Sequence, residues 1–303
     1  MYDVIIIGGG PAGVAAAIYA SRREMNTLII SKDVGGQLVW ASDIENYPGF
    51  KSINAFELIG KYQEQVSSLG VKIAQEEVKK MEKTDFGFRL HCPQKVYDAK
   101  TVILSIGLSP RKLNIPGEEE FSGKGVTYCA NCDGPFYKNK IVAVIGGGNS
   151  ALDAAEVLSK IANKVYLIHR KDSFRGFEAL VKQVKNRDNI EIILNSAPVE
   201  FIGDESLNKI VVRDQLTNEI NKIDVNGVFI EIGRVANTDL VKNFVDRNDR
   251  EEILVNELCE TKTPGLYAAG DVTQVEFKQI SIASGQGTIA ALAAYKYLQS
   301  KGD

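Results

Sequence analysis

Two stretches of the chain join a continuously apolar run to a glycine turn and then to a segment of helical period. The first runs YDVIII at residues 2–7, then three glycines, then PAGVAAAIYAS. The second runs KIVAVI at 140–145, then three glycines, then an amphipathic segment leading to KVYLIH at 164–169. Apolar runs bounded by glycine are typical of strands buried on both faces of a parallel sheet. The pattern predicts an α/β chain with two Rossmann-like strand–turn–helix units.

The remaining segments complete this outline. KTDFGFRLHCPQKVYDA, residues 83–99, predicts a β-hairpin, and GLYAAGDV, residues 265–272, predicts a strand. The small-residue segment 281–298 predicts a helix, and the acidic run at 118–120 and the segment DRNDREE at 246–252 predict solvated surface.

Composition narrows the class of protein. The chain has 303 residues, enough for two domains, with 44% hydrophobic residues and a net charge of −3. Basic residues form no long block, so we expect no nucleic-acid or membrane partner. No apolar run approaches the ~20 residues of a membrane span, and a strand beginning at residue 2 leaves no room for a signal peptide. We therefore expect a cytoplasmic location.

The four cysteines include one close pair, Cys129 and Cys132, in the sequence YCANCDGPFY. A structural zinc site needs four ligands, commonly two such pairs, and this chain has one pair and only two histidines. We therefore expect no metal and favour a redox dithiol. Asp133 directly follows the pair, where it can move a proton during thiol–disulfide exchange; the alternative is a turn residue. We assign no role to Cys92 or Cys259.

The first glycine turn has the G-x-G-x-x-G spacing of a dinucleotide site. Gly8 permits the tight turn, Gly10 lets a pyrophosphate approach the backbone, and Gly13 lets the helix pack against the strand. Its second strand ends in Ser31–Lys32 without the carboxylate that would hold a ribose hydroxyl. The residues of this unit alone leave its ligand open.

The second turn, Gly146 to Ala151, has the G-x-G-x-x-A form. An NAD site carries an acidic residue near the end of the next strand, whereas this chain has His169-Arg170-Lys171 there and Arg175 beyond. Cations at this place suit a 2′-phosphate, so we predict NADPH over NADH; the alternative is a solvated basic loop.

The motifs in their order resemble the low-molecular-weight thioredoxin reductases. They are GGGPAG, GGQL, ENYPGF, CANCDG, GGGNSA, HRKDSFR and AAGDV, and the resemblance covers essentially the whole chain. It implies FAD in the first unit, NADPH in the second, and a homodimer. Lys171 stands where many members have a second arginine, Lys278 where an arginine commonly precedes the flavin-side glutamine, and the tetrad is CANC where many have CATC.

The resemblance and the two turns together predict the site residues. The catalytic residues are Cys129, Cys132 and Asp133. The cofactor-binding residues are, for FAD, Gly8, Gly10, Pro11, Ala12, Gly13, Gly35, Gly36, Gln37, Leu38, Asn46, Gly270, Asp271, Lys278, Gln279 and Ile280, and, for NADPH, Gly146, Gly148, Asn149, Ser150, Ala151, His169, Arg170, Lys171 and Arg175.

The order of the motifs also predicts the domains. Residues 1–112 and 239–303 form an interrupted FAD domain, and residues 113–238 form an inserted NADPH domain that carries the dithiol. Because both the nicotinamide and the dithiol must use one flavin held by the other domain, we expect rotation of the inserted domain.

These inferences predict a thioredoxin-disulfide reductase that passes electrons from NADPH through FAD to Cys129–Cys132 and on to a thioredoxin or glutaredoxin-like protein. Relatives that reduce peroxiredoxins share most of the motifs and usually carry an additional N-terminal thioredoxin-like module; with the first turn at residue 8, we expect a free-standing partner instead. The alternatives are a peroxiredoxin-system reductase using NADH or another donor, and a nucleotide-binding redox sensor without turnover.

Overall fold

The computed structural model describes residues 1–40 and 43–302. The chain divides into two compact units, one formed by residues 1–109 and 235–303 and the other by residues 110–234. The limits predicted from sequence lie slightly further along the chain, after residues 112 and 238.

The elements follow one another along the chain with few long loops. The first unit contains β1 (Tyr2–Gly9), α1 (Pro11–Ser21), β2 (Thr27–Val34), β3 (Asp43–Ile44), β4 (Ile53–Asn54), α2 (Ala55–Ser68), β5 (Lys72–Ala74), β6 (Lys80–Thr84), β7 (Gly87–His91) and β8 (Val96–Leu104). After β9 (Ser109–Pro110), the second unit contains β10 (Val126–Thr127), α3 (Ala130–Asp133), β11 (Ile141–Ile145), α4 (Asn149–Ser159), β12 (Lys164–Ile168), α5 (Glu178–Lys185), β13 (Ile190–Ile193), β14 (Ser196–Gly203), β15 (Leu207–Asp214), β16 (Ile220–Asp224) and β17 (Gly227–Ile230). β18 (Arg234–Val235) leads back to the first unit, which ends with β19 (Leu266–Ala268) and α6 (Ile280–Gly302).

The first unit is built on a seven-stranded sheet. Strands β5, β2, β1, β8 and β19 are parallel neighbours in that order, and β7 and β6 extend the sheet beyond β8 as antiparallel strands. In β1, Val4 and Ile6 contribute to one buried cluster with α1, α2 and α6, while Ile5 and Ile7 contribute to the cluster on the opposite face. Burial on both faces explains why β1 is continuously apolar.

The second unit repeats this plan on a smaller scale. Its parallel sheet has the order β10-β17-β11-β12-β13. In β11, Val142 and Val144 pack with α4 and α5, and Ala143 and Ile145 pack with the separate antiparallel sheet β14-β15-β16. The prediction of an α/β fold with two Rossmann-like units is confirmed.

Two elements predicted from local sequence have different extents in the structure. The predicted hairpin at 83–99 belongs to a three-stranded antiparallel meander, because β7 pairs with β6 as well as β8. The strand predicted over 265–272 covers only Leu266–Ala268, since the chain then turns at Gly270 with a φ of +80°. No helix in the described part of the chain is long and apolar enough to cross a membrane.

The acidic run at 118–120 corrects a prediction. Glu118 is only 3% exposed, whereas a solvated face was expected. Its carboxylate accepts hydrogen bonds from the backbone N–H groups of Leu113 and Asn114 at 2.9 and 2.6 Å, and from the Tyr128 hydroxyl at 2.8 Å. A buried carboxylate needs such donors. Glu118 therefore links Leu113 and Asn114, near the start of the second unit, to Tyr128, which precedes Cys129. In the predicted polar loop 246–252, Glu252 is likewise buried.

Candidate functional site

The first glycine turn has the geometry of a phosphate-binding turn. Gly8 has a φ of +109°, and a Cβ there would lie 2.3 Å from the Ser105 carbonyl oxygen. A Cβ on Gly13 would lie 2.0 Å from the Gly8 carbonyl oxygen, so α1 approaches β1 closely only because residue 13 is glycine. Around Gly10 the nearest non-neighbouring atoms would be 3.9 Å from a Cβ. This third position therefore borders open space in which a pyrophosphate can reach the backbone.

A second glycine pair lies against this turn. The N–H of Gly35 donates to the Gly9 carbonyl at 2.9 Å, and a Cβ on Gly36 would lie 3.3 Å from the Cα of Gly10. Gln37 follows in a short 3-10 helix, Gly36–Trp40, and Leu38 is buried in the core. The predicted flavin residues of the GGQL motif are thus placed beside the first turn.

Residues from the end of the chain meet these loops. The Gln37 amide donates to Oδ2 of Asp271 at 2.7 Å, and the Asn46 amide donates to Oε1 of Gln279 at 3.2 Å. Pro11 and Ala12 begin α1, and Gly270 packs against Ala12, with 3.0 Å between the Ala12 Cβ and a Cβ built at Gly270. Ile280 begins α6. The structure therefore brings the predicted flavin residues together from three separate segments.

Lys278 has partners within the protein. Its ammonium group lies 2.9 Å from Oε1 of Glu252 and donates to the Thr273 carbonyl at 2.7 Å. Glu252 also accepts from the Asn248 amide at 2.7 Å. Burial opposes ionisation of Glu252, but hydrogen bonds from Asn248 and Lys278 lower its pKa below the usual value. Lys278 thus compensates a buried charge, a role that its sequence neighbours did not indicate.

Sequence reasoning missed two residues of α6 that shape this site. The side-chain oxygen of Gln286 accepts hydrogen bonds from the Gly270 N–H at 2.8 Å and the Thr273 hydroxyl at 3.2 Å. A Cβ on Gly287 would lie 2.0 Å from the Ala12 carbonyl oxygen, so this glycine lets α6 contact α1. A polar residue between glycines in a small-residue helix was the available signal.

The second glycine turn matches the first. Gly146 has a φ of +151°, and a Cβ there would lie 2.2 Å from the Glu231 carbonyl oxygen. A Cβ on Gly148 would meet no non-neighbouring atom of the described chain within 4 Å. Ala151 is fully buried in α4, in the place that Gly13 has in α1. The exposed side of this turn thus offers the same open approach to a pyrophosphate.

The basic loop after β12 is attached to this turn. The Arg175 N–H donates to the Gly147 carbonyl at 2.8 Å, and Oδ1 of Asn149 accepts from the Phe177 N–H at 2.8 Å. Arg170, Lys171 and Arg175 are exposed, as is Ser150 in the first turn of α4. The structure thus holds three cations beside the open turn.

His169 lies beneath this cluster. The ring is 9% exposed, stacks on Phe174 at 5.7 Å, and has a buried Nε2 without a hydrogen-bond partner. Burial lowers its pKa, and the charges of Arg175, Arg170 and Lys171 lower it further, against a backbone hydrogen bond at Ser173. His169 is therefore neutral at pH 7, and the cations are close enough together to act on one ring.

The cysteine pair follows the short strand β10. Cys129 and Cys132 form a disulfide with 5.4 Å between their Cα atoms. Cys129 precedes α3, is 6% exposed, and its Sγ accepts the Cys132 N–H at 3.1 Å. An N–H directed at sulfur favours the thiolate that exchange requires. Cys92 and Cys259 are free thiols whose pKa values burial raises to about 11, which makes them poor nucleophiles.

Asp133 ends α3 and has a buried partner that sequence reasoning missed. Its Oδ2 accepts the hydroxyl hydrogen of Thr127, whose oxygen accepts the Cys129 N–H at 3.3 Å. Asp133 is thus a member of a hydrogen-bonded group around the cysteine pair. The available signal was a hydroxyl residue two positions before the first cysteine.

The residues present fit the two predicted cofactors. Each unit offers a glycine turn with one open glycine at the start of a helix, as a dinucleotide pyrophosphate requires. The second unit adds exposed cations where a carboxylate is absent, which fits a phosphorylated ribose. Among the described residues, no group of three or more His, Cys, Asp or Glu side chains could hold a metal ion.

Comparison with known proteins decides the family. The model of the pyridine nucleotide-disulphide oxidoreductases matches residues 2–287. The chain belongs to this family. The assignment confirms FAD and a pyridine nucleotide as the predicted cofactors.

Relatives matched over nearly their full length include thioredoxin reductases. That of Treponema pallidum is 38% identical over 301 residues, which are 99% of this chain and 98% of the relative. The crystal structure of the Lactococcus lactis thioredoxin reductase has a TM-score of 0.90 and 36% identity, and covers 99% of this chain and 100% of that one. The resemblance to the low-molecular-weight thioredoxin reductases is confirmed.

A second type of relative is longer. The NADH dehydrogenase of Bacillus subtilis is 40% identical over 299 residues, 98% of this chain. The chain spans only 58% of that relative's own length. Identity alone therefore does not separate the two activities.

Proposed function

We propose that the protein is an NADPH-dependent thioredoxin-disulfide reductase. The observation that carries the proposal is the Cys129–Cys132 disulfide beside Asp133, in the unit that also contains the second glycine turn and the basic loop. A structural disulfide would not need an adjoining carboxylate, whereas a dithiol that exchanges protons with a partner does.

The division of labour follows the two units. In this proposal the first unit holds FAD with the open turn at Gly10 and the paired side chains of Gln37 and Asp271. The second unit holds NADPH at the turn of Gly148. When bound, the flavin supplies a group that accepts a hydride and passes two electrons to a disulfide.

The preference for NADPH rests on the basic loop. Arg170 and Arg175 can each give a charge-assisted hydrogen bond to a 2′-phosphate, and Lys171 adds a point charge. His169 is too buried and neutral to contribute charge; its ring supports the loop and lies against Gly147, where a Cβ would come within 2.3 Å of Nδ1. The backbone N–H of Arg175 also donates to the Gly147 carbonyl. The loop that would bind the 2′-phosphate is therefore attached to the glycine turn.

The protein's own groups then perform thiol–disulfide exchange. In the reduced protein, a thiolate of the pair attacks one sulfur of the partner's disulfide, so that a mixed disulfide forms and the other sulfur leaves and takes up a proton. The second cysteine attacks the mixed disulfide, closes Cys129–Cys132 and releases the partner's second thiol. Two electrons and two protons pass to the partner, and Asp133 carries protons between the sulfurs.

We further propose that the second unit rotates as a rigid body during turnover. The dithiol and the proposed NADPH site belong to one unit, the proposed FAD site belongs to the other, and only the segments at residues 109–110 and 234–235 join the units. In this proposal the second unit brings the nicotinamide and the dithiol to the flavin in turn. A reducible cross-link between the units should stop turnover until it is cleaved, and full turnover while linked would contradict rotation.

The partner is proposed to be a thioredoxin or glutaredoxin-like protein, consistent with the names of the full-length relatives. Homodimer formation and a cytoplasmic location stay predictions. NADH use is a second candidate, favoured by the 40% identity to a protein named NADH dehydrogenase.

Anaerobic titration of the purified holoprotein tests the assignment. We expect a yellow protein that is bleached by NADPH at lower concentration than by NADH, and recoloured by oxidised thioredoxin. Equal bleaching by NADH would support the second candidate. A yellow protein that neither nucleotide bleaches would indicate a redox sensor and contradict an enzyme.

A further inference from the structure

The hydroxyl of Thr127 joins the cysteine pair to the neighbouring carboxylate. Thr127 is the last residue of β10 and is 7% exposed. Its hydroxyl donates to Oδ2 of Asp133, and its oxygen accepts the Cys129 N–H at 3.3 Å. The side chain therefore uses both its donor and its acceptor within the redox site.

The direction of these bonds is determined by chemistry. A backbone N–H can only donate, so the Thr127 oxygen must accept from Cys129 and its hydrogen is free for the carboxylate. Asp133 also receives orientation from the backbone, since its N–H donates to the Cys129 carbonyl at 3.2 Å. Two hydrogen bonds therefore fix the carboxylate: one from the Asp133 backbone N–H to Cys129, and one from the Thr127 hydroxyl to Oδ2 of Asp133.

Tyr137 and apolar side chains lie near the cysteine pair. Burial and then the charge of Asp133 raise the pKa of Tyr137, which lies on the adjoining 3-10 helix Gly134–Tyr137. The face of α4 near Gly134 is apolar, with Leu158 Cδ2 3.3 Å from a Cβ built there. In such surroundings a single hydrogen bond to a carboxylate oxygen has a large influence on where that oxygen points.

We propose that Thr127 is a positioning residue that directs the Asp133 carboxylate for proton delivery during dithiol–disulfide exchange. The inference rests on the reductase function proposed above. Thr127 keeps its own proton throughout. One cysteine of the pair attacks as the thiolate, and its electron pair forms the new S–S bond as the partner's S–S bond breaks. Asp133 takes the proton of the other thiol of the pair and gives it to the departing thiolate of the partner.

Alkyl and aromatic disulfides differ in the basicity of the departing thiolate, and this difference tests whether Asp133 delivers a proton to it. A departing alkyl thiolate is strongly basic and needs a proton, whereas the departing thiolate of an aromatic disulfide such as dithiobis(nitrobenzoate) is stable without one. The holoprotein is reduced with dithiothreitol, freed of reductant and mixed with hydroxyethyl disulfide or the aromatic disulfide. Single-turnover rates are then compared for Thr127→Val, Thr127→Ser and Asp133→Asn.

We expect Thr127→Val to slow reduction of the alkyl disulfide by about tenfold and to leave the aromatic disulfide within about twofold, because one charge-assisted hydrogen bond is lost. Thr127→Ser should restore the wild-type ratio. Asp133→Asn removes the proton carrier, so it should slow the alkyl disulfide at least as much as Thr127→Val, and adding Thr127→Val to Asp133→Asn should cause no further loss. Thr101→Val is the matched control, since it removes a buried hydroxyl that donates to the Asp3 carbonyl at 2.7 Å in the first unit. It should change neither rate.

Equal slowing on both disulfides, or an unchanged ratio, would overturn the role of Thr127. Should Thr127→Val fail to fold by circular dichroism, Thr127→Ala makes the same comparison. A wild-type protein that reduces neither disulfide would instead contradict the proposed reductase function, so the two failures are distinguishable.

Discussion

The side-chain amide of Gln37 donates a 2.7 Å hydrogen bond to Oδ2 of Asp271, although 234 positions separate the two residues. The bond closes the first unit around its glycine turn, because Gly36 approaches Gly10 and Gly270 approaches Ala12. It joins the two separate chain segments of the interrupted unit beside the proposed flavin site.

This pairing predicts the behaviour of Gln37→Ala and Asp271→Ala. Each should weaken FAD retention by roughly tenfold, since each removes a polar group from the proposed flavin site together with the Gln37–Asp271 hydrogen bond. Absorbance of bound flavin relative to protein, followed during dilution, measures the loss. Asp246→Ala, an exposed change in the same unit, should retain wild-type flavin content. If the first two variants kept it as well, the pair would have only a structural role.

The cysteine pair predicts a separation of two half-reactions. Cys129→Ser and Cys132→Ser should each abolish reduction of a protein disulfide, because neither serine can form the mixed disulfide, while bound flavin is still bleached by NADPH. Cys92→Ser is the control, since this thiol is free and its pKa is raised to about 11 by burial and the charge of Glu76. Thioredoxin turnover surviving in either pair variant would remove the dithiol from the mechanism.

The basic loop predicts cofactor selectivity. The double change Arg170→Ala and Arg175→Ala should raise KM for NADPH by about 10- to 100-fold and that for NADH far less, because only NADPH has the 2′-phosphate. The expected rise in KM is modest because both arginines are exposed and solvent screens their charges. Arg213→Ala, an exposed arginine of β15, serves as the control. An equal rise for both nucleotides would place the two arginines at the pyrophosphate.

The Lys278–Glu252 pair predicts a stability effect. Lys278→Met should destabilise the apoprotein by about 2–4 kcal/mol, since it leaves the buried Glu252 carboxylate without its cation. Glu252 has a lowered pKa in the folded protein, so its contribution is present above the unfolded pKa of about 4.3 and is lost as pH falls below it. The difference between the variant and wild type should therefore shrink in acid.

Urea unfolding of both apoproteins at pH 7 and pH 4 measures that difference. Glu252→Gln combined with Lys278→Met provides the control, because it removes both charges and should recover part of the loss. An apoprotein whose stability does not change would mean that Lys278 acts only on a bound cofactor.

The local patterns were sufficient for the two turns, the dithiol and the basic loop. Each lies within a few consecutive residues, and its chemistry follows from spacing along the chain: Gly8, Gly10 and Gly13 have the three environments that their spacing predicts. The acidic run failed for the opposite reason. Three glutamates in sequence are usually solvated, and nothing local shows that Leu113, Asn114 and Tyr128 bring donors to Glu118.

The α/β class, the two dinucleotide turns and the candidate redox pair could be predicted from the chain alone, because apolar periodicity, glycine spacing and a CxxC motif are short-range features. The hydrogen bond between Gln37 and Asp271, the ion pair of Lys278 with Glu252, and the bridge from Cys129 through Thr127 to Asp133 became visible only in the folded chain. A hydrogen bond between side chains depends on where separate segments meet and on the burial that removes competing water, and neither is encoded in the spacing of residues along one segment.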